Sequence, residues 1–381
     1  MNSPDVLFLL VRAALGKENV QRPDLAEDLA DVDWRDVIDL SVKQCVDAIA
    51  IDGLQTIYDH NPRIRLGIED PGFEEDRMTW FANLWDSEVD YKVKLAALEK
   101  LVDFYGRHDI PVMLLKGYGL SMNYPVPSHR YSGDIDIYLG AKWEEADRLI
   151  AEELGINVDN SHHHHSVFDF EGQTVENHFD FVNVYSHASN KGLEKLFKRL
   201  ASDSTKAVEG RLPSGQKILY PSADLNALFL IRHCAIHFAA EFMFIRQMLD
   251  WVLFVDNHHE EIDWTLFWTE VRKLNMHKFV LCVTTIAVRD LGIERGRFHI
   301  PEEYASFEET DARLVERVKA DILHPEFNEK ASGSLKYVLS RFRIWWHNRW
   351  KHKIVYSDGL LSTFFSQIRS HLMKPSTLHS S

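Results

Sequence analysis

The chain has 381 residues, a formal net charge of −15 at pH 7 and an apolar fraction of 45%. This length exceeds what one hydrophobic core usually organises, so it predicts two or three domains. The acidic charge argues against a protein whose whole surface binds nucleic acid, because such proteins neutralise phosphates with a basic face. It leaves room only for a local basic patch.

Cysteine usage and the first residues indicate the compartment. Cys45, Cys234 and Cys282 lie far apart in apolar helical patterns without CxxC spacing, which is typical of core residues in a reduced compartment and gives no zinc signature. The apolar run at residues 6–10 is short, follows Asp5 and lacks a basic leader, so it predicts neither a signal peptide nor a membrane span. We expect a soluble cytoplasmic protein without a membrane partner.

Helical spacing of apolar residues dominates residues 1–105 and predicts a helical N-terminal region. Asp33 is placed to cap a helix that begins near Trp34. The pattern changes at residues 110–115, where a continuous apolar run suits a buried strand.

A glycine-containing turn follows that strand. Gly117 and Gly119 would let the backbone approach a ligand closely, and residues 120–122 could open a helix whose free amides point at phosphate. A second strand closes at residues 138–140, and residues 143–154 form a well-patterned amphipathic helix.

Two further strands are predicted at residues 166–170 and 174–181, joined by the turn-like residues 171–173. We therefore expect a small α/β core with a mixed sheet over residues 106–205.

Helices return from about residue 206, so residues 206–381 are predicted to form a helical C-terminal region that ends in a disordered tail, 375–381. The clearest helical stretches are residues 223–254, 264–274, 278–291, 311–322 and 335–355. The fold class is therefore α+β. Its small mixed-sheet core is flanked by helical regions, of which the C-terminal one roofs or flanks a cleft.

The most informative stretch is Gly133-Asp134-Ile135-Asp136. Because successive side chains of a strand point to opposite faces, Asp134 and Asp136 share one face and the isoleucines beside them face the core. Two carboxylates held side by side are a hard oxygen-donor pair suited to Mg²⁺ and to the phosphates it carries. The alternative is a loop-to-strand junction with two solvated acids.

Polar residues also alternate along the later strand. Glu176, His178 and Asp180 fall on one face, with Val175 and Phe179 on the other. If this strand neighbours the Asp-x-Asp strand, a third carboxylate arrives beside the first two. An ordinary solvent-facing strand would show the same pattern.

These motifs resemble one family. The Leu-Lys-Gly, Arg-x-x-Gly-Asp-Ile-Asp and Val-Glu-x-His series is similar to the bacterial family usually labelled uncharacterised nucleotidyltransferase. That family belongs to the superfamily related to DNA polymerase beta, whose hallmark is a glycine motif, then hDhDh on a strand, then a later carboxylate. The resemblance implies a polymerase-beta-like nucleotidyltransferase core and extends over most of the chain.

The resemblance also implies roles for individual residues. Lys116 and Gly117 match the phosphate-side turn, and the catalytic metal ligands would be Asp134, Asp136 and Glu176. Two departures are visible in the sequence. Gly117 is followed by a tyrosine, where the superfamily commonly has Gly or Ser, and the connection to the first aspartate is longer than usual.

The third carboxylate has two candidates on the later strand, Glu176 and Asp180, and the Glu-x-His match favours Glu176. On the nucleotide side, the candidate binding residues are Lys116, Gly117, Ser121, Arg130, Gly133 and His178.

Three of these candidates have an alternative interpretation. Lys116 could place a positive charge beside the nucleotide phosphates or be a surface residue. Arg130 could hold a phosphate bidentately or pair with a local acid. Ser121 could donate to the γ-phosphate or cap a helix.

Histidines occur in two further places. The run at residues 162–165 fits a metal site, an active-site contribution or a polar strand edge, and alternation argues that four consecutive imidazoles cannot all face one ion. His233 and His237 share a helical face, with Arg246 and Asp250 further on. The favoured interpretation is a core helix with satisfied histidines, while the family resemblance implies a position near the site.

A basic segment near the C-terminus interleaves with aromatic residues and contains no acid. Its basic residues are Lys336, Arg341, Arg343, Arg349, Lys351 and Lys353. Such a segment can bind a nucleic-acid strand by charge and stacking, or it can be an amphipathic helix whose aromatics are core. We keep RNA as a partner that is not favoured.

The function predicted from the resemblance is Mg²⁺-dependent transfer of an NMP from an NTP to an unknown hydroxyl-bearing acceptor, with two metal ions and release of pyrophosphate. The alternatives are a non-catalytic nucleotide-binding or regulatory protein with this fold, and an RNA-directed or toxin–antitoxin-type transferase. A hydrolase has little support, since no GxSxG, HExxH or Walker A pattern is present.

Overall fold

A computed structural model describes residues 1–203, 206–240, 242–324 and 346–359. The helices before the first strand are α1 (Ser3–Ala14), α2 (Leu25–Asp28), α3 (Trp34–Lys43), α4 (Asp47–His60) and α5 (Glu74–Arg107). Those among the strands are α6 (Tyr118–Ser121), α7 (Trp143–Leu154) and α8 (Asn190–Ser202). The later helices are α9 (Ala223–Ala240), α10 (Ile245–His258), α11 (Trp264–Lys273), α12 (His277–Leu291), α13 (Phe307–Thr310), α14 (Ala312–Leu323) and α15 (Arg349–Val355).

The described residues contain one mixed six-stranded sheet. Its strands are β1 (Met113–Leu114), β2 (Ile135–Tyr138), β3 (His165–Phe170), β4 (Gln173–His178), β5 (Val208–Arg211) and β6 (Lys217–Tyr220). They lie in the order β3, β4, β2, β1, β6 and β5, and the β2/β4 and β1/β6 pairs are parallel. The central position of β2, between β1 and β4, brings the ends of separate chain segments together.

Alternation along the strands divides the core. Ile135, Ile137 and Val175 are buried in a cluster formed with the C-terminal half of α5 and with α7. The amphipathic pattern of α7 supplies the apolar face that covers the sheet there, and the helix ends at Gly155 in the left-handed conformation that glycine favours.

The helices that precede the sheet in sequence and those that follow it form a second core together. α1 packs against α4 and also against α12, and Arg12 Nη1 donates to the carbonyl of Asp290 at 2.9 Å. The apolar residues of the early helices therefore belong to the same buried cluster as those of α9 to α12.

The predicted α+β class, with a small mixed sheet flanked by helices, is confirmed. The predicted cap is also present, since the Asp33 side chain accepts from the amide nitrogens of Arg35 and Asp36. Two local predictions differ from the structure.

First, the stretch 223–254 is two helices, α9 and α10, instead of one. The buried side chain of Gln44 accepts from the first amide of α10, Ile245 N, at 2.8 Å, so a partner from α3 satisfies the new helix end.

Second, strands β5 and β6 follow residue 206, where only helices were predicted. Tyr220 occupies space beside Gly119 and Gly210, where a Cβ atom would come within 3.0 Å and 2.4 Å of its ring. The absence of a side chain at Gly119 therefore serves packing against Tyr220, which differs from the predicted close approach of a ligand. Residues 325–345 and 375–381, which hold parts of the predicted final helix and tail, lie outside the described residues.

Candidate functional site

The strand register brings two acidic side chains side by side. β2 and β4 are adjacent and parallel, and Asp136 is the direct partner of Glu176. The isoleucines beside Asp136 point into the α5/α7 core, so alternation leaves the aspartate on the other face. The predicted neighbourhood of the two strands is thus present.

Asp136 is buried between two positive partners. Its Oδ1 atom lies 2.7 Å from Lys116 Nζ and 3.1 Å from His178 Nε2. Burial alone would raise the pKa of Asp136, but the charge of Lys116 and the hydrogen bond from His178 outweigh it and hold the pKa well below its usual range. Asp136 is therefore ionised at neutral pH.

Glu176 belongs to the same group. His178 Nε2 lies 3.3 Å from Glu176 Oε2, and His165 Nε2 lies 3.7 Å from its Oε1. Burial raises the pKa of Glu176, but the hydrogen bond from His178 leads the opposing interactions, which leave the pKa lowered. Asp180 instead pairs with Lys198, beyond the end of β4, so Glu176 is the acid that adjoins Asp136.

Asp134 lies just before β2 and is exposed at the mouth of a cleft. Partial desolvation at the cleft mouth, followed by the negative charges of Glu176 and Asp136, raises its pKa. Three carboxylates therefore act on one another here, and the charges of Lys116 and Lys94 offset only part of the effect on Asp134. Such a convergence of carboxylates suits a bound cation.

The turn after β1 has the backbone conformation that its sequence predicts. Gly117 has φ +62°, a value that residues other than glycine rarely adopt. The following helix, α6, is a single turn, and Ser121 Oγ donates within it to the carbonyl of Tyr118 at 2.7 Å. Gly133 has open space where a Cβ would lie. Lys116, Gly117 and Ser121 line the cleft.

Arg130 pairs with a local acid. Its Nε lies 2.7 Å from Asp250 Oδ1 and its Nη2 lies 2.9 Å from Oδ2. The same carboxylate accepts from Tyr124 Oη at 2.7 Å and from Arg246 Nη1 at 3.3 Å. Arg130 also lines the cleft, and its buried Nη1 has no hydrogen-bond partner among the described residues.

The ring positions in the histidine run, residues 162–165, differ from those that strand alternation predicts. His164 and His165 are neighbours in sequence, yet both rings lie beside His178 at centroid distances of 5.7 Å and 5.2 Å. β3 begins only at His165, so strand alternation does not apply to the residue before it. His162 stacks on His165 at 4.7 Å, and His163 lies beside Tyr185.

Two groups of side chains among the described residues have the spacing for a metal ion. In the first, ligand atoms of Asp136, Glu176 and His178 lie within 4.8 Å of one another. Its two carboxylates are ligands that Mg²⁺ accepts, whereas the predicted third ligand, Asp134, is not part of this group. The second group comprises three histidines, His164, His165 and His178.

A comparison with known families decides the assignment of the chain. A family model described as uncharacterised nucleotidyltransferase matches residues 30–292. The chain belongs to this family. The match covers well over half of the sequence and spans the sheet, the cleft and the helices α3 to α12, which confirms the family resemblance. No curated protein and no solved structure matches the chain significantly.

Membership supports nucleotidyl transfer as the general activity of this family member. It also directs attention to cleft residues that the sequence did not reveal. α5 contributes Tyr91, Lys94 and Leu98 to the cleft, and Lys94 Nζ donates to the carbonyl of Ser132. Motif reading missed them because they lie before the motifs, in a helix whose apolar pattern indicates only packing.

The histidines of α9 lie close to the same group. His233 has a pKa well below its usual value because of burial and then the positive charge of Lys116, which Asp136 partly opposes. Its ring is 4.4 Å from that of His237. The position near the site that the family resemblance implied is therefore present.

The described part of the C-terminal basic segment packs against the protein. Lys351 is buried, with Nζ 2.7 Å from Asp321 Oδ2, and Arg317 lies 3.9 Å above the Trp350 ring. These side chains match the amphipathic-helix interpretation. Lys336, Arg341 and Arg343 lie outside the described residues. Among the described helices, none combines the length and apolar character that crossing a membrane requires.

Proposed function

We propose that this protein transfers an NMP from an NTP to a hydroxyl-bearing acceptor in a Mg²⁺-dependent reaction that releases pyrophosphate. The family assignment supports the transfer in general. The observation that carries the detailed proposal is the register of β2 and β4, which sets Asp136 directly beside Glu176 while Asp134 shares their electrostatic surroundings.

Asp134, Asp136 and Glu176 would hold the metal, and we propose two ions. When bound, Mg²⁺ neutralises triphosphate charge and lowers the pKa of the attacking hydroxyl. The three carboxylates fit this role because their mutual repulsion, visible in the raised pKa of Asp134, is relieved by a cation. Until a cation binds, the charge of Lys116 offsets that of Asp136, with Lys116 Nζ 2.7 Å from Asp136 Oδ1.

Positive groups at the cleft would bind the triphosphate. Lys116 lies at the end of β1, and the glycine conformation at Gly117 lets the chain turn into α6 beside it. Arg130 is held by Asp250, and its remaining Nη1 atom provides a buried donor at the cleft. We assign phosphate contact to these side chains. Ser121 lines the same cleft, and Gly133, next to Asp134, has open space beside it.

The reaction itself breaks one bond and forms one. The acceptor oxygen attacks the α-phosphorus, the bond to pyrophosphate breaks, and the hydroxyl proton passes to the Glu176 carboxylate. His178 donates to both Asp136 and Glu176, so it fixes the relative position of the two acids. Positioning and electrostatic stabilisation supply the acceleration.

Calorimetric titration with each of the four NTPs, with and without Mg²⁺, tests the proposal. We expect Mg²⁺-dependent binding of at least one NTP in the wild type and a loss of at least about tenfold in Asp136→Asn. Asp180→Asn is the matched control, because Asp180 follows the same alternation but pairs with Lys198. It should bind as the wild type does.

Asp134→Asn provides a second variant, since Asp134 is exposed and its replacement leaves the buried contacts of Asp136 intact. Circular dichroism of each variant verifies folding. If no NTP bound to the wild type, or if both aspartate variants bound NTP and Mg²⁺ unchanged, the proposal would be wrong.

A further inference from the structure

Three histidine side chains converge beside Glu176. One ring nitrogen from each of His164, His165 and His178 lies within 4.8 Å of the others. The centroid distances are 4.4 Å between His164 and His165, 5.7 Å between His164 and His178, and 5.2 Å between His165 and His178. The rings therefore surround one small volume.

Each of these rings has a buried nitrogen without a partner. The Nδ1 atoms of His164, His165 and His178 make no hydrogen bond with the residues that the structure describes. His165 and His178 are more than nine-tenths buried, at 7% and 3% exposure. An unsatisfied buried polar atom is costly, so three of them on neighbouring rings call for a ligand.

The other nitrogen of His178 is held in the manner of metal-binding histidines. His178 Nε2 lies 3.1 Å from Asp136 Oδ1 and 3.3 Å from Glu176 Oε2. Histidines that bind a metal through one nitrogen usually direct the other to a carboxylate, which fixes the ring orientation. His165 Nε2 faces the same carboxylate at a longer distance, 3.7 Å from Glu176 Oε1.

We propose that His164, His165 and His178 bind one divalent transition metal, with Zn²⁺ as the representative ion. Imidazole nitrogens suit zinc and its neighbours in the first transition row, whereas Mg²⁺ prefers oxygen ligands. This site is distinct from the carboxylate site proposed above, although His178 and Glu176 adjoin both. The argument uses only the histidine contacts and does not rest on the proposed nucleotidyl transfer.

The bound metal would join two elements of the sheet. His164 and His165 lie at the start of β3, and His178 is the last residue of β4. Glu176 contacts two of the three rings. A metal on the histidines would therefore fix the position of Glu176 beside Asp136 and link β3 to β4 at this end of the sheet.

Cobalt is the probe for this site, because Co²⁺ takes zinc positions and nitrogen-rich four- or five-coordinate sites absorb visible light. Metal-stripped full-length protein is titrated with Co²⁺ in excess Mg²⁺, which occupies carboxylate sites. We expect visible bands that saturate at one equivalent and disappear when Zn²⁺ is added. His164→Ala and His165→Ala should each weaken Co²⁺ binding at least about tenfold.

Two controls separate this site from its neighbours. His163→Ala, in the same run, should retain the wild-type spectrum. Asp134→Asn should also retain it, because Asp134 belongs to the proposed Mg²⁺ site, so failure of one proposal is distinguished from failure of the other.

If His165→Ala does not fold, His165→Asn is used in its place and folding is verified by circular dichroism. Absence of Co²⁺ bands in the wild type would overturn the proposal and assign the three Nδ1 atoms to ordered water. Bands that are unchanged in His164→Ala and in the His165 variant would also overturn it, since the ion would then lie on the carboxylates.

Discussion

Two buried aspartates of this protein are neutralised to different extents. Asp250 accepts from Arg130 and Tyr124 and pairs with Arg246, so one negative charge meets two positive charges. Asp136 shares Lys116 and His178 with two further acids, Glu176 and Asp134. We refer to these groups as the Asp250 cluster and the Asp136 cluster.

The difference shows how structural and ligand-binding charges can be distinguished. The Asp250 cluster satisfies its carboxylate within the protein and has a spare donor, Arg130 Nη1. The Asp136 cluster gathers three carboxylates, and its positive partners leave the pKa of Asp134 raised. The Asp250 cluster therefore accommodates an additional anion, and the Asp136 cluster accommodates an additional cation. Arg130 and Asp136 line the same cleft. This is the charge pattern that a metal-bound phosphate requires.

The largest expected effect on stability comes from the Asp250 cluster. Asp250→Asn leaves the buried Arg130 and the half-buried Arg246 without their carboxylate, and breaking a buried pair costs about 3–5 kcal/mol. Urea unfolding should show that fall in the free energy of unfolding. Asp76→Asn is the control, because Asp76 pairs with the exposed Arg35, and surface pairs contribute little. Equal losses in the two variants would contradict the structural role of Asp250.

A further carboxylate, Glu194, has a raised pKa and sharpens the comparison. It accepts from the backbone nitrogens of Phe181 and Val182. Burial, followed by the negative charge of Asp180, raises its pKa from 4.5 to about 7. Since the folded-state pKa lies above the unfolded value, the stabilisation is complete below pH 4.5 and is lost as the pH rises through about 7.

The free energy of unfolding should therefore fall by about 1–3 kcal/mol between about pH 5 and about pH 8 through this group. Glu194→Gln should flatten that part of the pH profile, because the amide has no proton to lose. Chemical denaturation across the range measures the difference between the two proteins. An unchanged profile in the variant would show that Glu194 is ionised in the folded state.

The smallest expected effect comes from Asp134. Its raised pKa reflects burial and repulsion from Glu176 and Asp136, so Asp134→Asn should slightly raise the thermal midpoint of the metal-free protein at neutral pH. Added salt should shrink the difference by screening. Mg²⁺ should stabilise the wild type more than the variant, in a thermal shift measured with and without the ion. A lower thermal midpoint in the metal-free variant would contradict the repulsion between Asp134 and its two neighbouring carboxylates.

Side-chain periodicity made much of the sheet predictable. The alternation at Asp134 to Ile137 and along β4 assigned the correct faces, and α7 has the predicted bounds, residues 143–154. These elements depend on local patterns that repeat every two residues or every three to four. β5 and β6 escaped prediction because each is only four residues long and β5 is largely exposed, so neither gives a clear periodic pattern.

The candidate site was predictable only in part, because several of its contacts are tertiary. Lys116, Asp136 and Glu176 stood out by motif. The choice of Asp250 as the partner of Arg130 depends on the packing of α10, 120 positions away along the chain. The convergence of His164 and His165 depends on where β3 begins, and sequence patterns fix such boundaries least well.

The shared core of the early and late helices has a consequence for biosynthesis. α1 packs against α12, and Arg12 bonds to a carbonyl 278 positions later. The sheet, which lies between them in sequence, can complete its strand pairing once β6 has left the ribosome. The part of α1 that packs against α12, and not against α4, then stays uncovered until α12 is made, and closing so long a loop is slow and entropically costly. Nascent chains that stop between β6 and α12 should expose that part and recruit chaperones.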